Sequence, residues 1–346
     1  MSLEMTGNRI ESFDLLKCLA IFLVVWCHVI QFWGNHLFDY AFPTYVYAFH
    51  MPVFMVLAGF LFEHKLKTDL VKTSLKQFTR LIVPSFTGGV IVLIYTLFIR
   101  KIGMYDILHL PFYCWFLSSL FVCSVLYLLL SRVINNVFVE TIALSFLVLL
   151  LPGAEYLKFM VPFFGVGLCL SRWNALSGIK SKPWTIVASL VSVLLLVFVW
   201  KSDYTIYITK SPTYNSLLNI ELWKAFFIRL IVGTSITIAL IGIASQFKMR
   251  GRFKEKVTRL SRDTLGVYLL QSIMFDCTKR YISLPDWGEL GTVAISFIIT
   301  IVLVGVICLA IFLIRRNNLC SRLLLGEAHL KNNYESTDIS NRHRTV

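Results

Sequence analysis

Long apolar segments recur along the whole chain, and they constrain its fold more than any other sequence feature. A helix needs roughly 20 apolar residues to cross the hydrocarbon core of a bilayer, which is about 30 Å thick. Of the 346 residues, 57% are hydrophobic and 15% are charged, whereas globular domains carry about 25% charged residues. Segments that reach or approach the required length lie at 12–33, 43–62, 81–99, 112–131, 137–152, 157–171, 184–200, 222–245, 263–278 and 290–314. The sequence therefore predicts an all-α polytopic membrane protein with about ten transmembrane helices.

Lysine and arginine residues are unevenly distributed between the two predicted sides of the membrane. Short cytoplasmic loops collect these residues. When the N-terminus is placed inside, most of the 33 lysines and arginines fall in inner segments, with a dense group at 248–262. We predict that both termini are cytoplasmic. The same bias explains the net charge of +14 without a nucleic-acid partner, because no basic run is interleaved with aromatic residues in a soluble module.

The chain is expected to hold one transmembrane domain, residues 1–315, followed by a polar cytoplasmic tail, residues 316–346. The end of this tail, "GEAHLKNNYESTDISNRHRTV", has the composition of a disordered segment. Cysteine spacing shows no CxxC pair or metal-ligand pattern, and no P-loop or HExxH motif occurs. We therefore expect no bound metal or cofactor.

The first apolar segment carries ionisable residues, which are expensive inside a bilayer and usually line a site or find a partner. Lys17 and His28 are separated by about 20° around a helix and by about 16 Å along it. Asp14 and Gln31 extend the same polar stripe at three-residue spacing. An imidazole titrates near neutral pH and can act as a general base, so His28 is a candidate catalytic residue.

His50 lies near the outer end of the second apolar segment, in "YAFHMPVFMVLAGF". Two antiparallel helices joined by a short loop would bring His28 and His50 to similar depth, some 8–12 Å below the outer surface. His50 is therefore a second catalytic candidate. The alternative for either histidine is a packed residue that is hydrogen-bonded to a backbone carbonyl, and for His50 the two interpretations are evenly balanced.

Cations near the inner end of the predicted bundle form the candidate substrate-binding group. Lys17 could bind an anionic group that arrives from the cytoplasm, and so could Lys76 and Arg80 in "LKQFTRLIVPSF". The alternative is the ordinary enrichment of cations in cytoplasmic loops. Arg80 directly adjoins an apolar run, which favours it over the loop lysines.

Three further polar or aromatic residues have open roles. Trp115, in "PFYCWFLSSLF", is a candidate for substrate binding, although an interfacial aromatic belt explains its place well. Arg229 could snorkel to the surface or bind a polar acceptor. Gln271 could form a hydrogen bond within the bundle without a chemical role. Ser261 or Asp263 is predicted to cap the helix that holds Gln271.

In this order and spacing, the motifs resemble the acyltransferase 3 family of integral-membrane acyltransferases over residues 9–315. The first helix of that family carries an arginine, ten residues and a histidine, which corresponds here to Lys17-x10-His28. The other matching stretches are "FHMPVFMVLAGFLF", "RLIVPSF", "CWFLSSL", "VPFFGVGLCL" and "DTLGVYLLQS". Two departures are Lys17 in place of arginine, which loses the bidentate fork for a phosphate, and Gln271 where the family often has histidine.

The resemblance implies transfer of a short acyl group, most often acetyl, from a cytoplasmic acyl-CoA. The implied acceptor is a hydroxyl on a glycan, a polysaccharide, a glycolipid or a small molecule, and the implied location is the bacterial cytoplasmic membrane. The acyl-CoA would be a co-substrate rather than a bound cofactor.

Two other classes of membrane protein compete with an enzyme. A multi-pass transporter or exporter of a polar or anionic solute also combines many spans with intramembrane charge. Against it, the sequence has no detectable repeat between its halves and few Gly or Pro breaks at matched positions. A structural scaffold would leave the Lys17–His28 stripe unexplained.

Overall fold

The computed structural model of the protein describes residues 10–34, 39–100, 113–149, 151, 155–205 and 219–327, and these residues contain helices but no strand. The helices are α1 Glu11–Val29, α2 Ala41–Tyr47, α3 His50–Phe62, α4 Leu70–Gln77, α5 Val83–Arg100, α6 Trp115–Leu130, α7 Val137–Leu149, α8 Glu155–Arg172, α9 Leu176–Ile179, α10 Lys182–Phe198, α11 Ile220–Gln246, α12 Gly251–Thr278, α13 Gly288–Ile314 and α14 Asn318–Leu325. The prediction of an all-helical protein is confirmed.

Within the described residues, five helical stretches are long and apolar enough to cross a membrane. They are Glu11–Gly34, Ala41–Lys65, Leu70–Phe98, Ile220–Gln246 and Gly288–Ile314. Helices α6, α7 and α10 are also apolar but shorter, with 16, 13 and 17 residues. The protein is therefore a membrane protein by the length and composition of its helices, whereas the count of about ten spans and the cytoplasmic termini stay predictions.

Helix α12 begins twelve residues before the apolar segment that predicted it, so the expected cap at Ser261 or Asp263 is wrong. The helix starts at Gly251. Its first turns contain lysine, arginine and glutamate residues. These residues have high helix propensity but are too polar to lie in the hydrocarbon core of a bilayer. Ser261 instead donates a hydrogen bond to Asp14 on α1, at 2.6 Å, and Asp263 pairs with Arg315 at 2.6 Å.

The first part of the predicted tail is helix α14, which packs against α5. Asn317 caps its N-terminus by accepting hydrogen bonds from two backbone amides, and Gly326 ends it in a left-handed conformation with φ of 63°. Glu327 then accepts hydrogen bonds from Arg315 and Ser321. Burial favours a higher pKa for Glu327, but these two hydrogen bonds outweigh it and lower the pKa. Residues 328–346 lie outside the described part of the chain.

Helices α3 and α8 approach each other closely at two glycines. A Cβ added at Gly59 would lie 2.0 Å from the carbonyl oxygen of Phe164, and one added at Gly167 would lie 2.0 Å from that of Val56. Small residues allow such backbone contact between membrane helices. The pair fixes α3, whose first residue is His50, against the bundle.

Gly59→Ala and Gly167→Ala are each expected to lower the free energy of unfolding by about 1–3 kcal/mol, because the new methyl group must push two backbones apart. Thermal melting of the purified protein in detergent measures the effect. Gly305→Ala is the matched control, since a Cβ there meets nothing within 4 Å. Equal melting temperatures for Gly59→Ala and Gly305→Ala would contradict the close packing of α3 on α8.

Candidate active site

His28 on α1 faces Gln271 on the neighbouring helix α12. Nδ1 of His28 lies 3.1 Å from Oε1 of Gln271. An amide oxygen only accepts hydrogen bonds, so Nδ1 carries the proton and donates it. The neutral imidazole then keeps its lone pair on Nε2, which is the arrangement that a general base requires. Gln271 is 0% exposed, whereas His28 is partly exposed.

Two aromatic rings lie next to this histidine. The ring centroids of Phe32 and Phe275 lie 5.4 Å and 6.0 Å from that of His28, and the two phenylalanines lie 5.4 Å from each other. Such a setting lowers the local dielectric constant and strengthens each hydrogen bond that forms there. The imidazole therefore has apolar neighbours and one defined partner on Nδ1.

A charged group lies near the same site. Asp276 is close enough for its charge to act on His28. Its carboxylate accepts a hydrogen bond from the Tyr113 hydroxyl at 2.7 Å and pairs with Lys279 at 2.6 Å. The Lys279 ammonium also lies 5.7 Å from the centroid of Phe32. This group of charged and aromatic side chains, which the sequence analysis did not identify, connects the histidine to the end of α12.

His50 is positioned by a break between α2 and α3. The chain turns at residues 48–49, and Nδ1–H of His50 donates to the carbonyl oxygen of Val46 at 2.9 Å. The side chain is 3% exposed and its ring contacts that of Tyr47 at 4.7 Å. His50 and His28 are close enough to interact electrostatically. The structure thus brings the two predicted histidines together and also gives His50 the backbone hydrogen bond of the alternative interpretation. Its catalytic role stays a prediction.

Trp115 opens helix α6 and stacks on Tyr156 of α8, with ring centroids 4.1 Å apart and planes inclined by 16°. Tyr156 lies within electrostatic range of Tyr47, the neighbour of His50. The stacked pair therefore joins α6 to α8 on the side of α8 that is near Tyr47. Stacking on Tyr156 is compatible with either interpretation of Trp115, and a substrate contact by Trp115 stays a prediction.

The predicted cations lie on three elements of the chain. Lys17 is partly buried on α1, on the same continuous helix as His28. Lys76 lies in the last turn of α4, and Arg80 lies in the π-helical turn between α4 and α5. The charges of Arg80 and Lys76 both act on Lys65, which follows α3. Lys65 therefore joins Lys17, Lys76 and Arg80 as the fourth cation of this group. In the sequence it could not be distinguished from the other loop lysines.

Arg229 lies in a different environment from the other candidates. It is 1% exposed, so it does not snorkel. Its Nε–H donates to the backbone carbonyl of Tyr204 at 3.0 Å, and the guanidinium lies 5.0 Å from the ring centroid of Phe159. These partners are not the residues that surround His28. A substrate-binding role for Arg229 stays a prediction, and the contacts named here explain its burial.

The described ranges contain no group of three or more His, Cys, Asp or Glu side chains arranged to hold a metal ion. A neutral imidazole with one free ring nitrogen is suited to general-base chemistry, and this role stays a prediction for His28. The site combines His28, whose tautomer is defined, with the buried amide of Gln271. The cations described above lie on the segments that are predicted to be at the inner end of the bundle.

Comparison with known proteins assigns the chain to a family. The family model Acyl_transf_3, described as an acyltransferase domain, matches residues 10–314. The chain belongs to the acyltransferase 3 family. The match begins just before α1 and ends with α13, so it includes His28, His50, Gln271 and the cationic group. Membership in this acyltransferase family supports an acyl-transfer role and argues against the transporter and the scaffold.

Sequence comparison also found a relative of similar length. The nodulation protein NolL of Mesorhizobium japonicum (strain LMG 29417 / CECT 9101 / MAFF 303099) is 26% identical over 360 residues, which cover 93% of this chain and 91% of that protein. No solved structure matches the chain.

Proposed function

We propose that the protein is an acyl-CoA-dependent O-acyltransferase. It moves a short acyl group, acetyl by preference, from cytoplasmic acyl-CoA to a hydroxyl of a glycan, a glycolipid or a related acceptor. The observation that carries the proposal is His28, an accessible imidazole inside a bundle of the acyltransferase 3 family with its Nδ1 held by Gln271. A hydroxyl that reaches Nε2 can lose its proton at the moment of attack.

The transfer proceeds in two steps at one site. The acceptor hydroxyl gives its proton to Nε2 of His28 while its oxygen attacks the thioester carbonyl, and a tetrahedral oxyanion forms. The oxyanion collapses, the C–S bond breaks, and the CoA thiolate leaves and takes the proton from the imidazolium. Both electrons of the broken bond leave with sulfur, so His28 returns to its neutral form and no external acid is needed.

The donor is proposed to bind at the cationic group on the inner side. Lys17, Arg80, Lys76 and Lys65 would face the phosphates of CoA, because charge-assisted hydrogen bonds to phosphate are among the strongest in proteins. The separation of about 16 Å between Lys17 and His28 along α1 suits the extended pantetheine arm. The thioester would then reach His28 while the nucleotide stays at the cytoplasmic face.

The acceptor is proposed to enter from the outer half of the membrane. The stacked rings of Trp115 and Tyr156 offer an aromatic platform of the kind that packs against a sugar face. The ring of His50 packs against that of Tyr47. In this proposal His50 orients groups at the site, and His28 is the residue that takes the proton. This topology is consistent with a place in the bacterial cytoplasmic membrane, where donor and acceptor occupy opposite sides.

Sealed vesicles of known orientation test both the activity and its sidedness. Labelled acetyl-CoA is expected to support transfer only when supplied to the cytoplasmic face, with release of free CoA thiol and label in the acceptor. A membrane-impermeant acceptor analogue is expected to work only from the other face.

Vesicles that carry His28→Ala protein serve as the control for other enzymes in the membrane. Movement of a solute without thioester consumption would instead identify a transporter. If donor and acceptor are both consumed at the cytoplasmic face, the cross-membrane topology is wrong, even where His28 is still required.

A further inference from the structure

The first turns of α12 present an exposed group of cations. Residues 248–262 contain seven lysines and arginines and a single acidic residue, Glu255. All seven cations are exposed. Arg259 and Arg262 form no ion pair within the described part of the chain. Four of the cations line a depression of about 630 Å³ and are here named the basic surface: Lys254, Lys256, Arg259 and Arg262.

The opposite side of these turns is fixed to α1. Val257 is 8% exposed, and its carbonyl oxygen accepts a hydrogen bond from the Cys18 thiol at 3.2 Å. Ser261, one turn later, donates a hydrogen bond to Asp14 at 2.6 Å. The enrichment of cations in cytoplasmic loops explains the charge of this region, but it does not require that the cations project from a rigid helix. Because the helix is already held, an anion could bind there without the entropic cost of ordering a loop.

The length of α12 places the basic surface at the level of lipid headgroups. Its 28 residues span about 42 Å. This length exceeds the hydrocarbon core of about 30 Å and is close to the thickness of a bilayer with its headgroup layers, about 40–45 Å. In the predicted topology the apolar part of the helix, residues 263–278, ends at the outer side. The turns before Asp263 therefore lie in the inner headgroup layer, which holds the lipid phosphates.

An apolar surface that faces lipid adjoins these cations. Most of helix α13 is not buried by the rest of the described chain. Arg259 is close enough for its charge to act on Cys308 of α13. Phe312, one turn further along the same side of α13, is 52% exposed, and the guanidinium of Arg316 lies 5.0 Å from its ring centroid. Cations and exposed apolar side chains thus occur side by side.

We infer that the basic surface binds the headgroup of an anionic phospholipid, such as phosphatidylglycerol, with an acyl chain of that lipid along Phe312 and the exposed side of α13. Charge complementarity selects an anionic headgroup, because clusters of lysine and arginine at the cytoplasmic end of a membrane helix attract anionic lipids. A free phosphate ion would use only the cations, whereas a phospholipid also uses the adjoining apolar surface. None of these residues belongs to the proposed acyl-CoA site, and the inference does not depend on acyl transfer.

The test is a titration of the purified protein with phosphatidylglycerol. The protein is held in micelles of a neutral detergent with phosphatidylcholine, and two quantities are read: the melting temperature, and the labelled phosphatidylglycerol that stays bound through gel filtration. Both are expected to rise and saturate for the wild type. Arg259→Gln/Arg262→Gln is expected to need about thirtyfold more phosphatidylglycerol for half-saturation, since each cation near an anionic lipid surface contributes about 1 kcal/mol.

Two double variants are the matched controls. Arg259→Lys/Arg262→Lys keeps both charges and should reach half-saturation within a few-fold of the wild type. Lys72→Gln/Lys182→Gln removes two exposed cations from α4 and α10 and should titrate like the wild type. The two controls separate binding at the basic surface from a general effect of net charge. Melting without phosphatidylglycerol reports the folding of each variant.

Three results would overturn the inference. One is equal half-saturation for Arg259→Gln/Arg262→Gln and Lys72→Gln/Lys182→Gln. The second is an equal rise in melting temperature with inorganic phosphate at the same concentration, which would identify an anion site without a lipid. The third is displacement of the labelled lipid by acetyl-CoA, which would assign these cations to the donor. None of these readouts uses enzymatic turnover, so a failure here leaves the proposed function standing.

Discussion

His28→Gln is expected to lower the rate of acyl transfer by about 100- to 10,000-fold, the usual contribution of a positioned acid–base group. Glutamine keeps the size and polarity of the side chain and can still hydrogen-bond with Gln271, so the bundle should insert and melt like the wild type. It has no nitrogen that can accept a proton near neutral pH. The loss should therefore appear in kcat with labelled acetyl-CoA, in membranes that contain equal amounts of protein.

His64→Gln is the matched control for this substitution. His64 is an exposed histidine in the turn after α3, outside the site around His28. It should keep wild-type activity. His50→Ala should cause a smaller loss than His28→Gln, because Nδ1 of His50 is already bound to the backbone of Val46. Retention of more than a tenth of the wild-type rate by His28→Gln would remove it from the role of general base.

Neutralising residues of the cationic group should weaken the binding of acyl-CoA and leave the binding of the acceptor unchanged. Lys17→Gln and Arg80→Gln are each expected to raise KM for acetyl-CoA by about ten- to a hundredfold, since a hydrogen bond to a charged group contributes about 1.5–3 kcal/mol. KM for the acceptor should stay close to the wild-type value. Initial rates at varied concentrations of each substrate, measured on the same membranes, separate the two effects.

Two further variants sharpen that measurement. Lys17→Arg should be well tolerated, because the acyltransferase 3 family usually has arginine at this place in the first helix. Arginine can also donate two parallel hydrogen bonds to a phosphate. Lys182→Gln changes an exposed lysine at the start of α10, a helix that packs mainly against α11, and it should leave KM unchanged. An unchanged KM for acetyl-CoA in both Lys17→Gln and Arg80→Gln would exclude these residues from the donor site.

The apolar segments correctly predicted where the long helices lie, but they did not predict the residue at which each helix starts. Length of an apolar run reports how much chain can contact lipid, which is why the helices at Glu11–Gly34 and Gly288–Ile314 agree with the predicted spans. The start of α12 was wrong by twelve residues, because a helix may continue outside the bilayer through charged residues that also favour helix. For the same reason, α14 was hidden in a segment that was predicted as a polar tail.

The sequence by itself determined which residues share one helix face. Lys17 and His28 lie on one continuous α-helix, and their relation depends only on the local repeat of 3.6 residues. It also determined the family, since the motifs occur in the order and spacing of the acyltransferase 3 family and the family model matches residues 10–314.

Only the tertiary structure decided which helices meet and which of their faces turn toward each other. The pairing of His28 with Gln271 joins residues that are 243 positions apart, and the backbone partner of Arg229 lies in a separate turn at Tyr204. Apolar patterning cannot specify such pairs in a membrane, because lipid and protein interior are similarly apolar and a helix shows no strong contrast between its two faces. The choice is made by close packing at sites such as Gly59 and by the few polar groups that must find partners across the bundle.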